Sequence, residues 1–188
     1  MLEIKVNKDI ALRMMTRHHA KELFALTDKN RKFLRKFLPW TDATLEVKDS
    51  LDHILKVEKE YKLGESLDTA IFYKNELIGR VGFHTINYDN LSAEIGYWLS
   101  EEYTGSGIMT DCCKALIKYG FEKLGLNRVE IRVLKRNKKS AAIPKRLKFK
   151  EEGIFRQKVL MNGVFYDEIL FSYLRQEFER RTKKNKTK

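Results

Sequence analysis

Just after Gly64 the hydrophobic period of this chain changes, and that change limits what it can fold into. Before it, apolar residues recur every three or four positions. Leu23, Leu26, Phe33, Leu34, Phe37 and Leu38 run up to Pro39-Trp40, and Val47, Leu51, Ile54, Leu55 and Tyr61 run up to Gly64. These spacings predict helices over about 18–38, divisible at Asn30, and about 46–63. After it the pattern is β-rich. Asp68 to Tyr73 and Leu77 to Ile86, joined by Lys74-Asn75-Glu76, and Ala93 to Leu99 predict a three-stranded antiparallel meander. Gly105 and Gly107 then open a helix to about Leu124, stopped by Gly125. A strand over Arg128 to Leu134 and a short helix over Lys138 to Leu147 follow. Two last strands, Phe155–Leu160 and Phe165–Leu174, meet at Asn162-Gly163, a strong hairpin signal. A short run at Leu12 to Met15 reads as a first strand. A meander feeding a β-α-β unit implies a mixed sheet with helices on its faces, an α/β chain.

The 188 residues suit one domain with one sizeable core. We divide them into a domain over 1–178 and a basic, disordered tail over 179–188. Six of the twelve net positive charges come from Arg180, Arg181, Lys183, Lys184, Lys186 and Lys188. The moderate excess left on the domain favours an anionic cofactor or partner. No apolar run approaches the roughly 20 residues of a membrane span, and the N-terminus has no signal-peptide pattern. Cys112 and Cys113 are helical neighbours pointing about 100° apart, a poor geometry for a disulfide. No Cys or His spacing suits a metal. A cytoplasmic protein without a metal is the expectation.

The segment Thr104-Gly105-Ser106-Gly107-Ile108-Met109-Thr110 carries the main chemical signal. A strand leads through a glycine turn into a helix N-terminus, which aims unpaired backbone N–H groups at one spot and attracts phosphate. A P-loop is excluded because Ile108 follows Gly107, and a dinucleotide fingerprint because Thr110 stands where a third small residue belongs. The glycines alone fit a plain tight turn equally well. A second segment, Asn137-Lys138-Lys139-Ser140 through Pro144 to Leu147-Lys148-Phe149, follows directly after a strand.

Together with Leu77-Ile78-Gly79, Ala93-Glu94-Ile95-Gly96-Tyr97-Trp98-Leu99, Leu126-Asn127-Arg128-Val129-Glu130-Ile131 and Asn162-Gly163, these segments resemble the GNAT acetyltransferase superfamily. The nearer resemblance is to the branch that acetylates the N-termini (serine or alanine) of ribosomal proteins. It implies a GNAT fold: a splayed, mostly antiparallel sheet flanked by helices, with a bulged strand Ala93–Leu99 diverging from Arg128–Leu134. It also implies that acetyl-CoA lies in that gap. Backbone near Trp98 and Leu99 would hold the pantetheine, and Thr104, Gly105, Ser106, Gly107, Ile108 and Met109 the pyrophosphate. Asn137 would reach the pantetheine or acetyl region, and Ser140 the thiol. Two positions depart from the pattern: Thr104 replaces a Gln or Arg, and Lys148 replaces a Gly.

Acetyl transfer needs a neutral amine, a stabilised oxyanion and a proton for the thiolate. Glu94, on the same strand face as Gly96 and Trp98, is the first choice for the base, with Glu101 and Glu102 as rivals. No tyrosine lies between Tyr119 and Tyr166, so the family's helix tyrosine is missing and Ser140 is the substitute acid. An α-amine (pKa about 7.7–8.0) is easier to deprotonate than a lysine (about 10.4), a difference of roughly 3.4 kcal/mol. Phe33, Phe37, Trp40, Phe83, Tyr166 and Asp167 are candidates to line the acceptor side. The expected function is acetylation of a primary amine, in first place a protein N-terminus. The alternatives are a small-amine or polyamine acetyltransferase and a silent CoA- or RNA-binding module. A weak RNA or ribosome contact through the tail and a homodimer are both left open.

Overall fold

The structure, a computed structural model, describes residues 2–186. Its strands are β1 (Glu3–Lys5), β2 (Ile10–Arg13), β3 (Leu67–Tyr73), β4 (Glu76–Asn87), β5 (Ser92–Leu99), β6 (Arg128–Leu134), β7 (Lys150–Met161) and β8 (Val164–Leu174). Its helices are α1 (Ala20–Lys29), α2 (Arg31–Leu34), α3 (Val47–Lys62), α4 (Ile108–Glu122), α5 (Lys138–Arg146) and α6 (Arg175–Lys186). The strands form one sheet in the order β1-β2-β3-β4-β5-β6-β8-β7. Every neighbouring pair is antiparallel except β5 and β6, which α4 connects as a crossover. The expected mixed, mostly antiparallel sheet is what forms.

Local chemistry explains the turns. Lys74 and Asn75 both take positive φ, 50° and 68°, and so do Asn162 and Gly163, at 50° and 76°. Those are the angles that two-residue hairpin turns of matching twist require. Each face of the sheet carries its own apolar layer. On one, Ile108, Cys112, Leu116 and Phe121 of α4 pack on Val81, Phe83, Ile95 and Val129. Gly120 is needed there, because a Cβ would sit 2.7 Å from Phe83 Cζ. On the other, Leu23 of α1 and Ile54 of α3 pack on Ala70, Phe72, Leu77 and Trp98.

The feature that positions the site is the short reach of the β5–β6 pairing. Only Ser92, Ala93 and Glu94 pair, with Arg128, Val129 and Glu130. Beyond Glu94 the two strands part. The register of β4 against β5 shifts at the same level, between Phe83 and Thr85. The extra residue is His84 on β4, so the irregularity lies on the neighbour of the strand that the resemblance indicated. A bulge bends a strand locally, and here it does so where β5 leaves β6.

Two elements lie outside the sequence-based expectation. Strand β1 has three residues, too few for a period to register. Helix α6 continues to Lys186, across most of the stretch read as an irregular tail; residues 187 and 188 of that stretch lie outside the described residues. The helix start is anchored: Arg175 donates to Leu126 O (2.8 Å) and Phe121 O (2.6 Å), and the Phe178 ring stacks 5.2 Å from Phe121. Among the described residues no helix is long and apolar enough to cross a membrane.

Candidate active site

The gap between β5 and β6 opens into a cavity of about 880 Å³. One wall is the glycine turn. Thr104 N–H and Oγ1–H both donate to Glu101 O (3.1 and 2.8 Å), and Ser106 Oγ–H donates to Tyr103 O (2.6 Å). These bonds tighten the loop and occupy the Thr104 amide. Gly105 and Gly107 have φ of +83° and +87°, the left-handed region that a side chain resists, and a Cβ at either would meet nothing within 4 Å. The first bond of α4 runs from Asp111 N–H to Gly107 O, so the amides of Ile108, Met109 and Thr110 have no acceptor within the helix. An open cradle of free donors at a helix N-terminus suits a diphosphate.

Trp98, Leu99, Thr104, Gly105, Ser106, Gly107, Ile108, Met109, Asn137 and Ser140 all line this one cavity. The sequence motifs on β5, the turn and α5 therefore converge. Asn137 caps α5, its Oδ1 accepting Ser140 N–H at 3.1 Å. That use of Oδ1 leaves its amide nitrogen as the group free to donate. Beyond Glu94 the β6-facing donors and acceptors of β5 have no strand partner. A glycine cradle, a strand edge with unpaired backbone and a capping amide on one path fit an extended thioester cofactor such as acetyl-CoA.

Glu94 does not line the cavity. It lies beside it, on the second face, with Arg132 Nε 3.1 Å from its Oε2 as an ion pair not aligned into a hydrogen bond. Burial raises its carboxyl above the ordinary range; Arg132 pulls it back, and Glu168 and Glu130 push it up again. Glu101 and Glu102 are exposed and outside the lining, and Glu102 is committed to Lys29 at 2.8 Å. The residue the sequence reading missed is Glu168 of β8, the one carboxylate among the described residues that line the cavity. Its register opposite Leu134 puts it there, a pairing that strand period alone cannot reveal.

Phe33, Phe37 and Trp98 form the apolar wall, with Trp40 6.1 Å from Trp98. Phe83 is in the core against α4. Tyr166 packs under the Arg136 guanidinium at 3.9 Å, and Arg136 also lies 5.4 Å over Phe37 and donates to Lys36 O at 2.8 Å. Asp167 accepts Gln157 N–H at 3.1 Å and so stitches the irregular middle of β7. A positive charge on α5 stands near the same turn. Arg146 lines the cavity and donates through Nε and Nη2 to Thr110 Oγ1, at 3.2 and 3.1 Å.

Known proteins are similar to this chain in sequence and fold. The ribosomal-protein-serine acetyltransferase of Escherichia coli (strain K12) is 30% identical over 90% of this chain and 94% of its own. YdaF of Bacillus subtilis (strain 168), whose name assigns it only provisionally to the ribosomal N-acetyltransferases, is 34% identical over 95% and 98%. The solved structure of RimL, a ribosomal L7/L12 α-N-protein acetyltransferase, in complex with coenzyme A superposes with a TM-score of 0.89 at 28% identity. It covers 92% of this chain and 98% of that one. The microcin C7 self-immunity acetyltransferase MccE, in complex with acetyl-CoA and AMP, does so at 0.87 and 32%, over 90% and 94%. The sequence profile of the acetyltransferase (GNAT) domain matches residues 9–150, and the chain accordingly belongs to the GNAT acetyltransferases, enzymes that acetylate an amine at the expense of acetyl-CoA.

Proposed function

We propose that this chain acetylates the α-amino group of a protein N-terminus, of the kind ribosomal proteins present. The observation that carries the reading is the charge of the cavity lining. Glu168 is its one carboxylate, set against Arg132, Lys139 and Arg146. One carboxylate serves an acceptor with a single ammonium, whereas a polyamine would bring further cations to basic walls. The apolar wall of Phe33, Phe37 and Trp98 suits the first side chains of a peptide. The names of the Escherichia coli and RimL relatives support the same acceptor class.

Acetyl-CoA, when bound, supplies the acetyl group as a thioester already activated toward amines. The residues of this chain do the rest. Backbone amides from Gly105 to Met109, with Arg146 and Lys139, hold the anionic end. The unpaired edge of β5 at Trp98 and Leu99 holds the arm and offers an N–H to the carbonyl oxygen as negative charge gathers there. Glu168 holds the incoming ammonium at the cavity wall. Glu94, its basicity raised by burial, takes the proton through water. Ser140 offers its hydroxyl to the leaving sulfur. Since an α-amine is already partly neutral near pH 7, a water-mediated carboxylate is base enough.

Release of CoA, followed with a thiol reagent, tests the reading. A serine-headed peptide should turn over at least tenfold faster in kcat/KM than the same peptide with a blocked N-terminus and one internal lysine. Spermidine outrunning the peptide, or no acceptor turning over despite measurable CoA binding, would remove the proposal.

A further inference from the structure

Pro144 sits inside α5, where a proline costs a helix one hydrogen bond. The missing amide would have donated to the carbonyl four residues back, that of Ser140. That carbonyl is not left bare. The Tyr97 hydroxyl, arriving from β5, donates to Ser140 O at 3.1 Å. Ser140 Oγ–H in turn donates to the Tyr97 oxygen at 3.1 Å. Asn137 Oδ1 takes the Ser140 amide. Ser140 is thus held at its nitrogen, its carbonyl and its hydroxyl, whose one hydrogen rests on the Tyr97 oxygen and can rotate away from it.

The geometry points to Tyr97 as a positioning residue for Ser140: a two-point latch across the cavity, made available by Pro144. The inference rests on the Ser140 role proposed above and goes beyond it. Sequence counting puts Tyr97 on the strand face opposite Glu94 and Trp98, and its hydroxyl reaches Ser140 on α5. Burial, with a further push from the Cys113 thiol, raises its phenol far above the ordinary range, and the Ser140 hydrogen bond pulls back only in part. Tyr97 therefore keeps its proton throughout and orients rather than donates it away.

The balance of the step is simple. The nitrogen–carbon bond forms and the carbon–sulfur bond breaks, its electron pair going to sulfur. The proton that nitrogen surrenders passes through water to Glu94; Ser140 gives its proton to sulfur and takes one back from water, so none is drawn from Tyr97. Ser140 swings its hydroxyl hydrogen from Tyr97 toward the leaving sulfur. Tyr97, still bonded to the Ser140 carbonyl, keeps the Ser140 oxygen from drifting as it does so. Pro144 guarantees that no helical amide competes for that carbonyl.

Four variants test the latch: Tyr97→Phe, Ser140→Ala, the two combined, and Pro144→Ala. Each is measured for kcat with acetyl-CoA and whichever acceptor the native chain acetylates, serine-headed peptide or other amine, and for CoA affinity by calorimetry. Tyr97→Phe and Ser140→Ala should each lower kcat about tenfold, the scale of one well-placed hydrogen bond, with CoA affinity unchanged within about twofold. The combined variant should be no slower than Ser140→Ala alone, because both act through one hydroxyl. Pro144→Ala, which restores a helical donor to Ser140 O, should lower kcat severalfold without lowering the melting temperature. Full kcat in Tyr97→Phe, or losses that multiply in the combined variant, would overturn the latch while leaving the acceptor assignment intact. Full kcat in Ser140→Ala would remove the Ser140 role, and the latch with it, again without touching the acceptor.

Discussion

Arg132 stands 3.1 Å from Glu94 and 3.2 Å from Glu130, so one guanidinium is shared between two carboxylates at the mouth of the cavity. Glu94 is half-buried: burial, the largest influence, raises its pKa, Arg132 lowers it, and Glu168 and Glu130 raise it further. A base must be ionised to work, so activity should fall as pH drops through that raised pKa. Glu94→Gln should lose turnover at neutral pH and recover part of it at high pH, where the amine deprotonates unaided. Arg132→Ala removes the lowering influence and should move the acid limb of kcat/KM to higher pH. An unaltered pH profile in Glu94→Gln would transfer the base role to Glu168.

Gly107 holds φ at +87° with open space where a Cβ would go. The cost of a side chain is therefore conformational, about 1–2 kcal/mol for a non-glycine residue in the left-handed region. A turn that relaxes to avoid it carries the amides of Ile108 and Met109 out of line. Gly107→Ala should raise the dissociation constant for CoA about tenfold, 1.4 kcal/mol being tenfold. Gly153→Ala, also with open space but without a positive φ, serves as the control and should change nothing.

Arg146 tests whether α5 makes up for Thr104. Its guanidinium is exposed and rests on Thr110 Oγ1 beside the amide cradle. An exposed cation facing a diphosphate acts at a partly screened distance, so its contribution should depend on salt. Arg146→Ala should weaken CoA binding about fivefold at low ionic strength, and the deficit should shrink as salt is added. A deficit that salt leaves untouched would mean the side chain acts by packing.

What the sequence made legible, and what it hid, divides along locality. The meander, the glycine turn and the Asn162-Gly163 hairpin are written in neighbouring residues, and each forms where expected. Glu168 was hidden because its position depends on β8 pairing with β6, so that Leu134 lies opposite it. Tyr97 was hidden because its partner, Ser140, is 43 residues away. Pro144 was the one local trace of that contact, since a proline inside a helix announces a carbonyl in need of another donor. Helix α6 was masked by its own charge, because lysine-rich composition reads as solvated chain until Arg175 and Phe178 are seen anchoring its first turns.

Lys148 occupies the position where the resembling family has glycine, and its φ is +66°. It follows the C-terminus of α5, where a left-handed residue ends a helix and glycine pays least for it. Lys148→Gly should stabilise the chain by about 1 kcal/mol. In a domain of this size that corresponds to a melting temperature roughly 2–4 °C higher. Acetyl transfer should be unaffected, since Lys148 lies outside the cavity lining. A lower melting temperature would mean the lysine side chain makes a compensating contact.

His53 of α3 lies beside the buried Asp68–Arg80 ion pair, and its Nε2 is buried with no hydrogen-bond partner. Burial, first, and the Arg80 charge, second, depress its pKa from 6.5 to about 4. The folded chain therefore resists a proton that the unfolded chain accepts. Between pH 6.5 and about 4 the unfolded state binds more protons, so stability falls as pH falls across that window. Above 6.5 neither state is protonated and the effect is absent. Urea unfolding of the native chain should show a declining midpoint from pH 6.5 to 4, and His53→Gln, which does not titrate, should flatten much of that decline. The carboxylate of Asp68, held below its ordinary pKa by Arg80 against the opposing effect of burial, titrates lower, and Glu152, lowered to about 2 by Arg128, adds to the decline only near the acid end of the window. Parallel midpoint curves for the two proteins across the window would assign the acid sensitivity to other groups.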